Sequence, residues 1–195
     1  MLKFVCVYCG ANFNGDAGLE AVVEDLATQM VAKNISLVFG GGSIGLMGII
    51  ADAVLSRGGE AIGVIPQFLL EKEVGHKGLT QMIVTENMHQ RKQKMADIAD
   101  AFLILPGGFG TLEEFFEVLT WLQLGLHQKP IAVLNYKGFY DFLFKQLDVM
   151  VEQKFLKATN RDLVINASDA LSVLEQLECF SVQADEVWFR DRNLS

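Results

Sequence analysis

Proline is scarce in this chain, three residues in 195 against eighteen glycines. So few prolines beside so many glycines point to tight turns that close regular elements rather than to flexible linkers. Basic residues are outnumbered too: sixteen Lys and Arg face twenty-four Asp and Glu, a formal charge of −8. That balance argues against nucleic-acid binding, which needs a basic stripe. An anionic small molecule would have to find a local positive site against the overall field. Cysteine stops at three residues, an odd number that does not suit a secreted disulfide framework. Cys6 and Cys9 form a C-x-x-C, but three apart in a strand they point to opposite faces. No second Cys or His pair follows, so no metal is expected. Buried thiols in a reducing, cytoplasmic setting are the simpler reading. No apolar stretch reaches membrane-spanning length, and Met1 leads almost directly into a strand-like run, so neither a membrane segment nor a signal peptide is expected.

What the chain has instead is a repeated pattern of short apolar run, glycine-rich turn and amphipathic segment. Strands are predicted at Lys3–Tyr8, Ile35–Phe39, Glu60–Ile65, Gln81–Thr85, Ala101–Leu105, Ile131–Leu134 and Leu163–Asn166. Helices are predicted at Asp16–Lys33, from the Gly40–Gly45 turn to Arg57, at Met88–Ile98, Thr111–Leu126, Tyr140–Glu152 and Ala170–Glu178. A charged stretch, Glu71–Gly78, reads as a surface loop. The strands are continuous apolar runs rather than alternating ones, so both faces should be covered. Strands separated by helices imply right-handed crossovers. The fold class is therefore α/β: one domain over 1–195, a Rossmann-like doubly wound parallel sheet with helices on both faces and a C-terminal tail at 180–195. In such sheets a ligand sits outside the carboxyl ends of the strands.

Two glycine turns fall there. Gly40, Gly42 and Gly45 spell a G-x-G-x-x-G after a strand. The dinucleotide fingerprint also wants an acid ending the next strand, but Glu60 begins it, so a nicotinamide cofactor does not fit. Gly41, Gly42 and Ser43 are read as a nucleotide-facing wall, against the alternative of glycines for helix–sheet packing. The second turn, Pro106-Gly107-Gly108-Phe109-Gly110-Thr111, follows the most buried-looking strand. Its glycines let the backbone turn N–H groups toward one point, and Thr111 can cap the following helix. Glu113, Glu114 and Glu117 line that helix's first turns. They suit the helix dipole, but a carboxylate beside a phosphate turn also suits hydrolysis of a phosphorylated sugar. Adjacent helical residues point about 100° apart, so Glu113 and Glu114 cannot face the same way, and spacing does not choose between them.

The segment Met88–Lys94 places three positive charges in four residues of an acidic chain. Arg91 and Lys94 share a helix face and Lys92 lies aside. The helix runs into the strand that feeds the phosphate turn. Arg91 is the candidate for a bidentate contact to substrate or to a catalytic carboxylate.

The residues Pro106–Glu114 (PGGFGTLEE), together with Met88–Lys92 (MHQRK), resemble the signature of the LONELY GUY family of cytokinin riboside 5′-monophosphate phosphoribohydrolases. The family has often been labelled lysine decarboxylase. The resemblance also takes in Cys6–Gly10, Gly40–Gly48, Thr120–Gly125 and Lys129–Asn135, most of the chain. It implies cleavage of the N-glycosidic bond between an adenine-type base and ribose 5-phosphate, without a cofactor. By matching position it implies Arg91 and Glu114 as the catalytic pair. Gly108, Phe109, Gly110, Thr111, Leu112, Glu113 and Glu114 would form the phosphate and ribose wall, with Lys92 beside Arg91 and Glu73 and Thr120 as further substrate contacts. It also implies a homodimer or larger homo-oligomer. Two stretches depart from the family pattern: Cys9-Gly10-Ala11-Asn12 lacks the usual hydroxyls, and Val74–Gly78 differs from the usual loop. Two other functions stay open, a general AMP nucleosidase without cytokinin specificity and a non-catalytic nucleotide-binding sensor or carrier.

Overall fold

The computed structural model describes residues 1–71 and 75–181. Seven strands form one sheet: β1 Phe4–Tyr8, β2 Ser36–Phe39, β3 Ala61–Pro66, β4 Gln81–Thr85, β5 Ala101–Ile104, β6 Ile131–Leu134 and β7 Val164–Ala167. Their order is β4-β3-β2-β1-β5-β6-β7, and every pair is parallel. The helices are α1 Ala17–Ala32, α2 Gly45–Ser56, α3 Gln67–Leu70, α4 Met88–Ile98, α5 Phe109–Leu124, α6 Asp141–Glu152, α7 Ala158–Arg161 and α8 Ala170–Cys179. This is the doubly wound sheet that the apolar runs imply. The short α3 and α7, and a single 3-10 turn at Tyr136–Gly138, carry too few residues to announce themselves by periodicity.

The two faces separate cleanly along β1. Val5, Val7 and Cys9 join the core layer under α1, α2 and α8, with Leu26, Ile50 and Val173. Cys6 and Tyr8 join the opposite layer under α4, α5 and α6, with Met95, Phe115 and Leu147. The C-x-x-C is thus split across the sheet, as a period of two requires. The fully buried Phe39, Phe102 and Phe115 each contribute on the order of 2–3 kcal/mol of apolar burial.

Local signals set the helix ends. Asp16 caps α1, accepting from Gly18 N at 2.8 Å and Leu19 N at 3.2 Å. Gly125, left-handed at φ 76°, ends α5. Helix α5 differs from the sequence expectation at its start. It begins at Phe109, with Gly108 as its extended N-cap, so Thr111 is a buried residue of the first turn and not its cap.

Strand order reverses direction at β1, which lies between β2 and β5. The crevice between their carboxyl ends is where a ligand site belongs. No described helix is long and apolar enough to cross a membrane. Phe180 packs against the second core layer; the remainder of the tail, from residue 182, lies outside the described residues.

Candidate active site

A cavity of about 860 Å³ opens at that crevice. Its floor is made by loops that are fastened to one another. Gly10 N donates to Pro106 O at 3.0 Å, and Leu46 N donates to Gly10 O at 3.0 Å, joining the ends of β1 and β5 to the start of α2. Gly107 must be glycine because a Cβ there would overlap the Thr111 side chain and the Gly10 backbone. Below the turn, the buried Tyr140 hydroxyl donates to Leu105 O at 2.8 Å, and the Gly107 amide engages the same hydroxyl.

The turn delivers α5 to the cavity with a bare N-terminus. Gly108 provides no side-chain cap, and the first helical bond runs from Leu112 N to Gly108 O. The amides of Phe109, Gly110 and Thr111 therefore precede the intrahelical ladder. Free amides of this kind, together with the helix dipole, favour a negatively charged group. A Cβ on Gly108 or Gly110 would meet no protein atom within 4 Å, so packing does not require glycine at either place.

One turn further on, Glu113 and Glu114 diverge as helical geometry demands. Glu114 turns into the protein, and burial pushes its carboxyl up to about 7, with the Arg91 charge working in the other direction. Arg91 Nη2 lies 3.9 Å from Glu114 Oε1. The guanidinium itself is anchored on backbone carbonyls, with Nε donating to Val64 O at 3.1 Å and Nη2 to Gly40 O at 3.4 Å. Gly40 is small for this reason: a Cβ there would overlap the guanidinium. Arg91 thus makes no bidentate contact with a carboxylate.

Glu113 turns the other way, toward Lys92. The Lys92 ammonium, its side chain only 9% exposed, contacts Glu113 Oε1 at 2.5 Å and Glu117 Oε1 at 2.9 Å. Those two carboxylates outweigh burial and hold its pKa above the usual lysine value. Lys92 therefore ties α4 to α5. Lys94 is exposed and does not accompany Arg91 into the cavity.

The cavity brings together Arg91, Glu113, Glu114, Gly108, Phe109, Gly110 and Thr111. It does not include Leu112, which packs on the core, or Thr120, whose hydroxyl donates to Phe116 O at 2.6 Å. Gly41, Gly42 and Ser43 also stand outside its lining; Gly42 instead pairs with Gly75 in a short antiparallel bridge. Close packing on the sheet, with no helix involved, accounts for Gly41: it is left-handed at φ 75°, and its Cβ would press on the strand residues Met82 and Ile65. Glu73 lies outside the described residues. Sequence reasoning missed Tyr140, Asp16, Tyr136 and Lys137, because each acts across the fold on a residue far away in the chain. Among the described residues, no three His, Cys, Asp or Glu side chains gather as metal ligands.

The family model described as possible lysine decarboxylase matches residues 47–177. The chain is 42% identical over 185 residues to the cytokinin riboside 5′-monophosphate phosphoribohydrolase LOG1 of Arabidopsis thaliana, covering 95% of this chain and 87% of that protein. It is 41% identical over 183 residues to the probable enzyme of the same name LOGL6 from Oryza sativa subsp. japonica, covering 94% and 73% respectively. Among solved structures, the molybdenum cofactor carrier protein of Chlamydomonas reinhardtii matches with a TM-score of 0.67 at 20% identity, over 92% of this chain and all of that one. The molybdenum cofactor binding protein of Rippkaea orientalis gives 0.66 at 19%, over 91% and 96%. These two share the fold.

Proposed function

The chain belongs to the cytokinin riboside 5′-monophosphate phosphoribohydrolase (LONELY GUY) family, and from that premise we propose that it hydrolyses the N-glycosidic bond of an adenine-type nucleoside 5′-monophosphate. The products are the free base and ribose 5-phosphate. One observation carries this reading: a buried carboxylate with a raised pKa shares a cavity with an uncapped helix N-terminus and an anchored guanidinium.

The parts divide the work as follows. The amides of Phe109, Gly110 and Thr111 hold the phosphate, which serves as a handle and takes no part in the reaction. Glu114 faces the anomeric carbon. As the bond from that carbon to the base nitrogen breaks, positive charge develops on the sugar, and the carboxylate stabilises it. A water adds to the same carbon and gives its proton to Glu114. The departing base takes the bond's electron pair, and the proton that water gave to Glu114 passes from that carboxyl to the base nitrogen, directly or through solvent. Arg91 orients Glu114 and offsets the negative charge on the base as it leaves. A pKa near 7 suits a group that must accept a proton and return it.

Incubation with AMP and with isopentenyladenosine monophosphate, followed by chromatography of the base, tests the proposal. Base and ribose 5-phosphate in equal amounts are expected, and the preferred substrate separates a cytokinin enzyme from a general AMP nucleosidase. The fold shared with molybdenum cofactor carrier and binding proteins favours a second reading, a carrier without chemistry. A tight AMP complex with no base released supports that reading and overturns the first. We also propose assembly as a homodimer or larger in the cytoplasm. The exposed Phe109, Phe142 and Phe155 support the assembly, and the unpaired Cys6 and Cys9 suit a reducing compartment.

A further inference from the structure

Along the carboxyl edge of the sheet, the cavity runs from Arg91, over β3 and β2, to the 3-10 turn after β6. Two of its lining side chains are cationic, Arg91 and Lys137, against the carboxylates Asp16, Glu113 and Glu114. Arg91 is committed to two carbonyls and faces Glu114. Lys92 is held between Glu113 and Glu117. Lys137 has a looser partner. Its Nζ lies 3.3 Å from Asp16 Oδ2, and its side chain is 67% exposed.

The placement of that pair is informative. Asp16 follows β1 and Lys137 follows β6, while β5 lies between those strands. The link therefore spans the carboxyl end of β5, where the turn Pro106–Gly108 opens into the bare N-terminus of α5. Tyr136 steadies it from one side, donating its hydroxyl to Asp16 Oδ1 at 3.2 Å, with Lys137 Nζ 4.8 Å from the ring centre. The backbone of this turn is held in place. Lys137 is left-handed at φ 49°, as is Gly138 at φ 72°. Asn135 braces the turn, its Oδ1 accepting from Tyr140 N at 2.7 Å and its Nδ2 donating to Asp141 Oδ1 at 2.7 Å.

The geometry points to Lys137 as the cation that leaves Asp16 for the substrate's phosphate once the phosphate docks on the α5 amides. This rests on the reading of the site as a nucleoside monophosphate hydrolase. An exposed lysine–aspartate pair is worth little, and a phosphate with up to two charges and three acceptor oxygens is a stronger partner than one carboxylate. The loop Cys9–Asn14 offers no hydroxyl or cation of its own, so Lys137 supplies the charge which that side of the cavity otherwise lacks.

Calorimetric binding of AMP, ribose 5-phosphate and adenine, run beside AMP turnover, tests the assignment. Lys137→Asn removes the charge while suiting the left-handed backbone. It should weaken AMP and ribose 5-phosphate about tenfold and move adenine by less than about twofold. Lys137→Arg should restore most of the loss. Asp16→Asn, which keeps an oxygen to cap α1, should tighten AMP. Unchanged AMP and ribose 5-phosphate affinities in Lys137→Asn, or a parallel loss of adenine affinity, would overturn the role. A wild-type protein that binds AMP but releases no base defeats the hydrolase reading and leaves the binding test of Lys137 intact. A wild-type protein that does not bind AMP defeats both.

Discussion

The Arg91 guanidinium stands 3.9 Å from the Glu114 carboxylate, with each side chain only 11% exposed. That is too far for a hydrogen bond, but close enough for strong attraction in a protein interior. The arginine is not free to close the gap, because Val64 O and Gly40 O hold it. A tight bidentate pair would drive the carboxylate's pKa down and occupy both its oxygens. The open spacing leaves burial in control, with the carboxyl at about 7 and an oxygen able to face water or sugar.

The first prediction concerns activity against pH. In the proposed mechanism Glu114 works as the carboxylate, so kcat/KM for AMP should rise with pH and level off above about 7. Glu114→Gln should still bind AMP, lose about 10²–10³ in kcat and lose that rising limb. Base release measured from pH 5 to 9 in both proteins checks this. A variant with full activity would remove Glu114 from the mechanism.

The same group should cost the fold stability. Its pKa is raised from 4.5 to about 7 on folding. Between those values the folded protein keeps a proton that the unfolded chain releases, so this contribution falls as pH rises. Glu114→Gln carries no such proton. Its stability relative to wild type should climb through that window and plateau at about 3 kcal/mol above pH 7. Urea unfolding at pH 5 and pH 8 measures the difference. A gap that does not widen with pH contradicts the prediction.

The sequence makes some of these features legible and not others, for physical reasons. The strands are readable because burial on both faces makes them uninterrupted apolar runs, as at Phe102–Leu105. The glycine turn Pro106–Thr111 is readable because its glycines lie together in the chain. Thr111 misleads, since a threonine before a helical run resembles a cap, while Gly108 adopts the extended cap conformation with no side chain. Lys94 misleads too: a shared helix face with Arg91 does not ensure a shared environment. The burial of Lys92 depends on Glu113 and Glu117, more than twenty residues away. The positions of Tyr140 and Lys137 depend on the order of the strands, which no local pattern encodes.

Lys92 should matter for stability and, indirectly, for pH dependence. Lys92→Met keeps the length of the side chain but leaves Glu113 and Glu117 without their shared cation. The fold should lose about 1–2 kcal/mol, since Glu117 is left largely buried without a partner while the half-exposed Glu113 is screened by water. The Lys92 charge also helps to lower the Glu114 pKa, so the rising limb of kcat/KM should move to higher pH. A destabilised variant with an unmoved limb would confine Lys92 to holding α4 against α5.

Gly110 separates the demands of the fold from those of the ligand. It is the second residue of α5, and an added Cβ would meet nothing within 4 Å. Alanine there should reduce the entropy lost on folding and stabilise the helix by about 0.5 kcal/mol, raising Tm by ~1–2 °C. The same methyl group would occupy the space above the first-turn amides where the phosphate is proposed to sit. Gly110→Ala should therefore be slightly more stable than wild type while binding AMP at least about tenfold more weakly. Gly107→Ala provides the contrast: its Cβ would strike Thr111 and Gly10 N, so it should lose stability and binding together. Thermal scans beside AMP titrations distinguish the two behaviours. Unweakened AMP binding by Gly110→Ala would mean that the phosphate does not rest on this helix end.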